Sequence, residues 1–372
     1  MAKLIEITGK ALSGEWGADD ETGNGIPVLR TTNFTNEGVV DYSNVVTRKI
    51  VKKGIEEKYL RNGDIIIEKS GGSDKQPVGR VIYFEGAENT YLFNNFTGLL
   101  RVKNQGKWHP RYVFYSLFSN YRGGGTRTFQ NKTTGLHNLK TDDYVSSFNV
   151  TEVDIATQKA ICKQLDLVNA IIRMRQQQFQ KLDELVKVRF VELFGDPVRN
   201  SMGLKTMPLG KACCLKAGIT TSADMIHEQS NEFSIPCYGG NGIRGYVELA
   251  TQCGCYPIIG RQGALCGNVQ LATGKFHATE HAVLVTPLIE TNVIWLFYLL
   301  KMMDLYRFHT GAAQPGLAVK TLNTVDIPIA DVAAQHQFAA FVTQTDKSKV
   351  AVQKALDEAH LLFDSLMQKY FG

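Results

Sequence analysis

The chain contains two copies of one segment, and this duplication constrains its fold more than any other feature. Residues 154–195 and 331–372 align without a gap at a fixed offset of 177 residues. The copies open on Asp154 and Asp331, and both end on Phe-Gly. A repeat at such a long interval indicates a duplicated domain, because solenoid repeats are much shorter. We therefore expect two similar elements, each following its own dissimilar segment.

Each copy is predicted to be a long helix with one apolar stripe, because apolar residues recur in steps of four and three. Arg175 and Arg189 interrupt the stripe in the first copy, and Thr345 and Lys349 interrupt it in the second. A strict period of about 3.5 residues favours pairing of the two helices; the alternative is that each packs on its own domain. The predicted helix-pairing residues are Ile161, Leu165, Val168, Ile172, Phe179, Leu182, Val186, Leu193, Phe338, Val342, Val352, Leu356, Phe363, Leu366 and Tyr370.

The opposite face of the first helix carries charged side chains beside apolar ones. Arg173, Lys181 and Lys187 lie near Val188 and Phe190 in the sequence. We interpret this outer face as available for contacts with other proteins. Helices do not continue through a Gly-Asp-Pro sequence such as the one at 195–197, so the first helix should end there.

The composition is that of an ordinary globular protein, with 44% hydrophobic and 21% charged residues. A chain of 372 residues can form two or three domains. Residues 1–150 hold 20 Lys and Arg against 16 Asp and Glu, and residues 197–330 hold 10 against 8. The positive excess therefore lies outside the long helices, which is compatible with nucleic-acid binding and with an ordinary solvated surface.

The sequence also predicts where the protein works. We find no signal peptide and no apolar run long enough to cross a bilayer, so no membrane association is expected. The seven cysteines lack the C-x-x-C spacing of zinc sites and redox motifs. Reduced thiols in a cytoplasmic protein are the expectation.

The two segments that precede the helices, here called the first head (residues 1–153) and the second head (residues 197–330), are predicted to be rich in strands. The first head should have strands at 26–30, 63–68 and 78–84, a loop at 71–74 and a helix at 112–118. The second should have a loop at 238–242, strands at 257–261 and 281–285 and a helix at 295–302. Each head should finish with its helix, and Gly-Leu pairs at 135–136 and 316–317 should follow near its exit. The order of elements is shared although most residues differ.

Motifs for catalysis are missing from the sequence. There is no Walker loop, no G-x-G-x-x-G before a helix and no H-E-x-x-H. Asp64, Glu68 and Lys69 lack the E-x-K spacing of a nuclease. His277 and His281 flank Glu280 at a spacing that could hold a metal, but polar roles in a strand and a loop are the favoured interpretation. The sequence predicts a chain with no metal and no catalytic residues.

The order of these features resembles the specificity subunit of a type I restriction–modification system, over the whole length of the chain. The helices begin with the Gln-containing sequences 155–158 and 332–335, as in that family. One departure is that the usual Pro-Pro before this Gln is absent. The motifs in the heads that are similar to family patterns are 26–34, 63–67, 78–80, 238–246, 259–263 and 311–315.

The resemblance implies an α+β fold with two strand-rich target-recognition domains (1–153 and 197–330). They are separated by two long helices (154–196 and 331–372) that pair as an antiparallel coiled coil. Each head would read one half-site of a bipartite, asymmetric DNA target, and the helices would set the spacer.

The resemblance also implies that the chain is not an enzyme and holds no cofactor. Its partners would be double-stranded DNA, two modification (methyltransferase) subunits that bind S-adenosylmethionine, and restriction subunits that use ATP and Mg. A two-headed scaffold that does not bind DNA is one alternative, and it would lack salt-dependent DNA affinity. A one-chain enzyme, such as a nuclease that acts without partners, is another, and no motif in the sequence favours it.

Base edges are read by Arg, Lys, Asn, Gln, Ser and Thr side chains, which makes polar loop residues the candidates. For each of them a phosphate contact or a solvated loop residue is the alternative. The predicted DNA-binding residues are Arg30, Asn33, Lys69, Ser73, Lys75, Arg80 and Gln130 in the first head, and Tyr238, Asn241, Arg244, Arg261, Gln262, Thr279 and His281 in the second.

Overall fold

The computed structural model describes residues 1–133, 136–311 and 315–372, with the backbone alone for 132 and 133. The chain divides into a first unit (1–174 with 356–372) and a second unit (175–355). Each unit therefore combines one head with a part of both long helices. Gly135 and most of the predicted motif 311–315 lie outside the described residues.

The first unit contains three short helices and most of the strands. Its helices are α1 (Leu4–Thr8), α2 (Pro110–Arg122), α3 (Thr141–Ser147) and the first half of α4 (Ile155–Phe194). Its strands are β1 (Ala2–Lys3), β2 (Leu12–Ser13), β3 (Ala18–Asp19), β4 (Ile26–Leu29), β5 (Val46–Lys49), β6 (Ile65–Glu68), β7 (Ser70–Gly72), β8 (Val81–Tyr83), β9 (Leu92–Phe93), β10 (Thr97–Leu100), β11 (Gln130–Thr133), β12 (Leu136–Leu139) and β13 (Asn149–Val150). The sheet orders are β1-β13, β2-β10-β6-β8, β3-β5-β4-β9 and β11-β12-β7.

The second unit is built on one large sheet. Its helices are α5 (Leu209–Ala212), α6 (Val293–Met302), α7 (Val319–Asn323) and the first half of α8 (Val332–Phe371). Its strands are β14 (Thr206–Pro208), β15 (Cys213–Ala217), β16 (Ile235–Gly239), β17 (Gly242–Val247), β18 (Gln252–Gly260), β19 (Val269–Ala278), β20 (Ala282–Pro287) and β21 (Asp326–Pro328). The large sheet has the order β15-β20-β18-β19-β16-β17, and β14 pairs with β21.

Strand β6 shows how the sequence builds the first head. Its three isoleucines are fully buried, because this strand lies inside its sheet between β10 and β8. Ile65 and Ile67 belong to the core that includes α2 and the long helices, and Ile66 belongs to a separate core on the other face. A continuous apolar run is what a strand covered on both faces requires.

The predicted pairing of the long helices is confirmed, and it is antiparallel within each unit. In the first unit, the start of α4, with Leu165 and Ile172, shares a core with the end of α8, with Phe363 and Met367. In the second unit, the end of α4 shares a core with the start of α8, where the rings of Phe190 and Phe338 lie 5.3 Å apart. All the predicted helix-pairing residues are buried or half-buried.

The end of each long helix departs from the predicted stripe. Phe190, which we expected on the outer face, is fully buried, so that expectation is wrong. Its equivalent in the second copy, Met367, is also buried. Phe194 lies 6.0 Å from Trp295 of α6, and Phe371 lies 5.1 Å from Tyr112 of α2. These last turns pack into a head as well as on the other helix, which widens the apolar face beyond a coiled-coil seam.

Three local predictions need correction. The predicted loop 71–74 begins in strand β7, because Gly72 pairs with His137 of β12. The predicted loop 238–242 is a β-hairpin, in which β16 and β17 are joined at Gly240 and Asn241. Neither head ends at its apolar helix: β11, β12, α3 and β13 follow α2, and α7 and β21 follow α6.

One buried glutamine joins each long helix to its head. Gln158 accepts a hydrogen bond from the backbone N–H of His109 (2.8 Å), at the start of α2, and donates to the carbonyl of Lys107 (3.0 Å). Gln335, the equivalent residue in the second copy, accepts from the backbone N–H of Asn292 (2.8 Å), at the start of α6. Both glutamines are fully buried. The first N–H groups of a helix have no partner within it, so these side chains tie α2 and α6 to the long helices.

Candidate DNA interface

The ends of several strands converge at one corner of the second head. Strand β16 ends at Gly239, β18 ends at Gly260, and residues 279–281 connect β19 to β20. The backbones approach so closely that a Cβ on Gly260 would lie 1.8 Å from the carbonyl oxygen of Gly240. This close approach requires glycine, and it draws the flanking polar residues together.

Four of the seven predicted residues of the second head line one concavity of about 640 Å³ at this corner. They are Asn241, Arg244, Gln262 and His281. Arg244 and Gln262 are exposed, and His281 is half-buried. The Oδ1 of Asn241 accepts a hydrogen bond from Asn268 (2.6 Å), a residue that sequence reasoning missed. The structure thus brings together donors and acceptors of the kind that read base edges.

The other three predicted residues of the second head are not among those that line this concavity. Thr279 is fully buried, so it is not the exposed loop residue that we expected. Tyr238 is half-buried, and its ring lies edge-on to Phe276 at 5.6 Å. Burial raises the pKa of the Tyr238 phenol. Arg261 directly follows β18, and its Nη1 reaches the carbonyl of Glu280 only at 3.5 Å.

Polar atoms at this corner lack partners. Arg261 Nε, Thr279 Oγ1 and His281 Nδ1 are buried and have no hydrogen-bond partner among the residues that the structure describes. A buried polar atom without a partner costs about 1–3 kcal/mol. An added polar ligand or ordered water that reached these atoms would therefore be stabilised.

Glu280 adds negative charge beside these residues. Its Oε1 lies 3.2 Å from His281 Nε2, and its Oε2 accepts from the backbone N–H of Thr221 at 3.3 Å. His277 Nε2 lies 2.7 Å from the hydroxyl of Thr221, and burial lowers the pKa of His277. Within residues 1–133, 136–311 and 315–372, no three His, Cys, Asp or Glu side chains are grouped so as to hold a metal.

In the first head, two predicted residues are engaged inside the protein. Asn33 is buried and accepts from the backbone N–H of Arg30 (2.9 Å). Arg80 forms a two-point ion pair with the buried Glu68, at 3.1 and 3.0 Å, and donates to the carbonyls of Phe34 and Thr31. These contacts argue against base reading by either side chain, because their polar atoms already have partners.

The remaining predicted residues of the first head are more open. Ser73 and Lys75 are exposed, next to β7. Lys69 donates to the hydroxyl of Ser13 (2.9 Å), and burial lowers the pKa of Lys69. Gln130 begins β11, in the same sheet as β7, and its Oε1 lies 3.0 Å from His137 Nδ1.

Arg30 ends the predicted strand 26–30. It is half-buried just after β4, and its Nη2 donates to the carbonyl of Asn44 (3.2 Å). Its Nε is buried without a partner among the described residues, as is Nε2 of Gln130. Arg30 and Gln130 therefore share with the second head the property of an unused buried donor.

Comparisons with known proteins identify the family of the chain. The family model of the type I restriction modification DNA specificity domain matches residues 2–184 and 208–359. These two segments cover most of the chain, one for each head, and the chain therefore belongs to this family.

The type I restriction enzyme EcoprrI specificity subunit of Escherichia coli is 36% identical over 208 residues, which are 52% of this chain and 50% of that subunit. The chain thus matches about half the length of this curated relative.

Solved structures share the fold. The S subunit of a type I restriction–modification system from M. genitalium has a TM-score of 0.61 at 16% identity, covering 100% of this chain and 95% of that one. A second chain, from a structure concerned with complex assembly and conformational transition of the type I system, has a TM-score of 0.57 at 15% identity and covers 100% of this chain and 96% of that one.

In the described residues, no helix is both long enough and apolar enough to span a membrane.

Proposed function

We propose that the chain is the sequence-specific DNA-binding subunit of a type I restriction–modification complex. The observation that carries the proposal is the family match in two segments, one at each head. The concavity of the second head supports it, because Asn241, Arg244, Gln262 and His281 line one site. Side chains of these types hydrogen-bond to base edges and phosphates.

In this proposal each head reads one half-site of a bipartite target. The half-sites differ because the heads differ in most residues. The paired helices α4 and α8 set the number of unspecified base pairs between the half-sites. The chain itself performs no chemistry; two methyltransferase subunits that bind S-adenosylmethionine methylate the target, and restriction subunits that use ATP and Mg cut the DNA in the cytoplasm.

Exchange of one head tests whether each head reads its own half-site. Residues 1–150 are replaced by the matching segment of a relative, and the methylated sequence of cells that carry the chain with its methyltransferase is determined by methylome sequencing. We expect one half of the methylated sequence to change and the other half to stay. A change in both halves, or no sequence-specific methylation by the unaltered complex, would contradict the proposal.

Lengthening the helices tests the spacer. One heptad inserted near Gln176 and another near Gln353 would preserve the helix faces and add about 10 Å to each helix. This length corresponds to roughly three base pairs. We expect a longer spacer between unchanged half-sites, and a loss of activity when only one helix is lengthened. An unchanged spacer in the doubly lengthened protein would show that the helices do not set the distance.

The isolated chain should bind DNA poorly, because its net charge is only +5. Nucleic-acid affinity depends on the number of phosphates that Lys and Arg neutralise, and it falls as salt rises. We expect specific binding at physiological salt to require the methyltransferase subunits. Tight specific binding by the chain alone would contradict this part of the proposal.

A further inference from the structure

Two large apolar side chains lie open to solvent beside the polar residues of the second head. Ile243 is 52% exposed and Leu265 is 53% exposed. Both line the concavity of about 640 Å³ that Arg244 and Gln262 also line. Single exposed apolar residues are common on protein surfaces. Two of them lining the same concavity as Arg244 and Gln262 form a more specific feature.

The backbone fixes both side chains at this concavity. Ile243 is the second residue of β17, directly after the turn at Gly240 and Asn241. Leu265 lies in the connection between β18 and β19, where the N–H of Cys266 donates to Gly263 (3.0 Å) and the N–H of Gly267 donates to Gly260 (2.7 Å). The exposure of these side chains is therefore built into the hairpin and the loop.

The chemistry around them identifies an occupant. In the major groove of DNA, the base edges present donors, acceptors and a single apolar group, the 5-methyl group of thymine. Arg244 supplies a positive charge that suits the phosphate backbone, and Gln262 carries the amide that pairs with adenine, the partner of thymine.

Building on the function proposed above, we infer that Ile243 and Leu265 bind the 5-methyl group of one thymine in the second half-site. Contact with the methyl group removes apolar surface from water on both partners. This contact discriminates thymine from cytosine, which has no methyl group at that position. It makes Ile243 and Leu265 specificity-determining residues of the second head.

The inference is tested by removing only the methyl group. Each thymine of the second half-site is replaced in turn by deoxyuridine in a synthetic duplex, and the affinity of the complete complex of this chain with its methyltransferase subunits is measured by titration. A buried methyl group contributes about 0.8 kcal/mol, so we expect roughly fourfold weaker binding at one position. The other thymines of the half-site should tolerate the replacement.

Protein variants identify the side chains responsible. In Ile243→Ala/Leu265→Ala, the normal duplex should bind more weakly and the deoxyuridine duplex should lose no further affinity. Leu249→Ala is the matched control, because Leu249 is an exposed apolar residue of the same head that is not among the residues lining the concavity. This control should retain the fourfold difference between thymine and deoxyuridine.

The outcomes separate this inference from the proposed function. A complex that discriminates its target from a scrambled duplex, yet binds every deoxyuridine duplex as well as the normal one, overturns the inference alone. A deoxyuridine effect that persists in the double variant also overturns it. A complex that shows no preference for its target refutes the proposed function itself.

Discussion

Each head has an arginine next to the end of a strand, and the surroundings of the two arginines differ. In the first head, the guanidinium of Arg80 donates to the buried Glu68 and to two backbone carbonyls. In the second head, Arg261 makes one long contact, at 3.5 Å, and its buried Nε has no partner among the described residues. Both were predicted to bind DNA from residue type and position. We therefore expect the residues whose donors are left unused to be the ones that bind DNA.

Among the tests of this comparison, Arg80→Ala should have the largest effect. Removing Arg80 leaves the charge of Glu68, whose side chain is 2% exposed, without its partner. Breaking a buried ion pair on one side costs about 3–5 kcal/mol. We expect a loss of this size in the free energy of unfolding of the first unit, measured by urea denaturation and by hydrogen exchange of β6 and β8.

Lys75→Ala is the control for that variant, because Lys75 is exposed in the same head. It should change the unfolding free energy by less than about 0.5 kcal/mol. If Arg80→Ala folds with the stability of the unaltered protein and loses only DNA affinity, the contrast between the two arginines is wrong.

The buried glutamines test whether the two heads are attached equivalently. Gln158→Ala and Gln335→Ala would each leave a buried N–H at the start of α2 or α6 without a partner. Such a loss costs about 1–3 kcal/mol. We expect reduced stability of similar size in the two variants, measured as faster hydrogen exchange of α2 in one and of α6 in the other.

Exposed glutamines on the same helices provide matched controls. Gln177→Ala and Gln344→Ala should leave exchange of α2 and α6 unchanged, because both side chains lie at the surface. A large effect of Gln158→Ala beside no effect of Gln335→Ala would show that the repeated residue has different roles in the two copies.

The duplicated helices could be predicted in detail up to their last turns. The starts of both follow the predicted steps of four and three, as at Ile161, Leu165 and Val168. The ends bury residues in steps of four, as at Val186, Phe190 and Phe194. The periodic pattern predicts a helix that packs on one partner helix. It could not predict that the last turns also pack against α2 or α6, because that contact depends on the tertiary structure of the head.

The candidate site could be predicted only in part, for a similar reason. Asn241, Arg244 and Gln262 were found because glycine-rich turns expose polar side chains. Asn33 and Thr279 are also polar residues outside the predicted strands, yet they are buried. Sequence reasoning could not tell these cases apart, since burial is decided by strands that are distant in the sequence.

Arg261→Ala tests the same comparison in the second head. If the guanidinium pairs with a guanine, its loss should weaken binding of the complex to its target by about 1–3 kcal/mol and relax one base position. The measurement is the affinity for the target and for duplexes altered at each position of the half-site. An equal loss on all duplexes would instead identify a phosphate contact.

The smallest expected effect concerns the acid sensitivity that one histidine gives to each head. Burial lowers the pKa of His277 in the second head and of His109 in the first below the ordinary value of 6.5. Each folded unit therefore holds a neutral imidazole where the unfolded chain binds a proton, so stability is full above about pH 6.5 and falls as the pH drops below it.

The variant His277→Gln removes the titrating group and leaves a neutral side chain that can still bond to Thr221. Acidification should lower the protection of β19 against hydrogen exchange, measured relative to the intrinsic exchange rate at each pH, and we expect the variant to lose less of this protection between about pH 7 and pH 5.5, the range in which a free imidazole gains its proton. The loss of protection in α2, which begins beside His109, should be unchanged and serves as the internal control. If β19 responds to acid equally with and without the imidazole, the pH dependence of the second head arises from other groups, and His277 does not have the role expected for it from its lowered pKa.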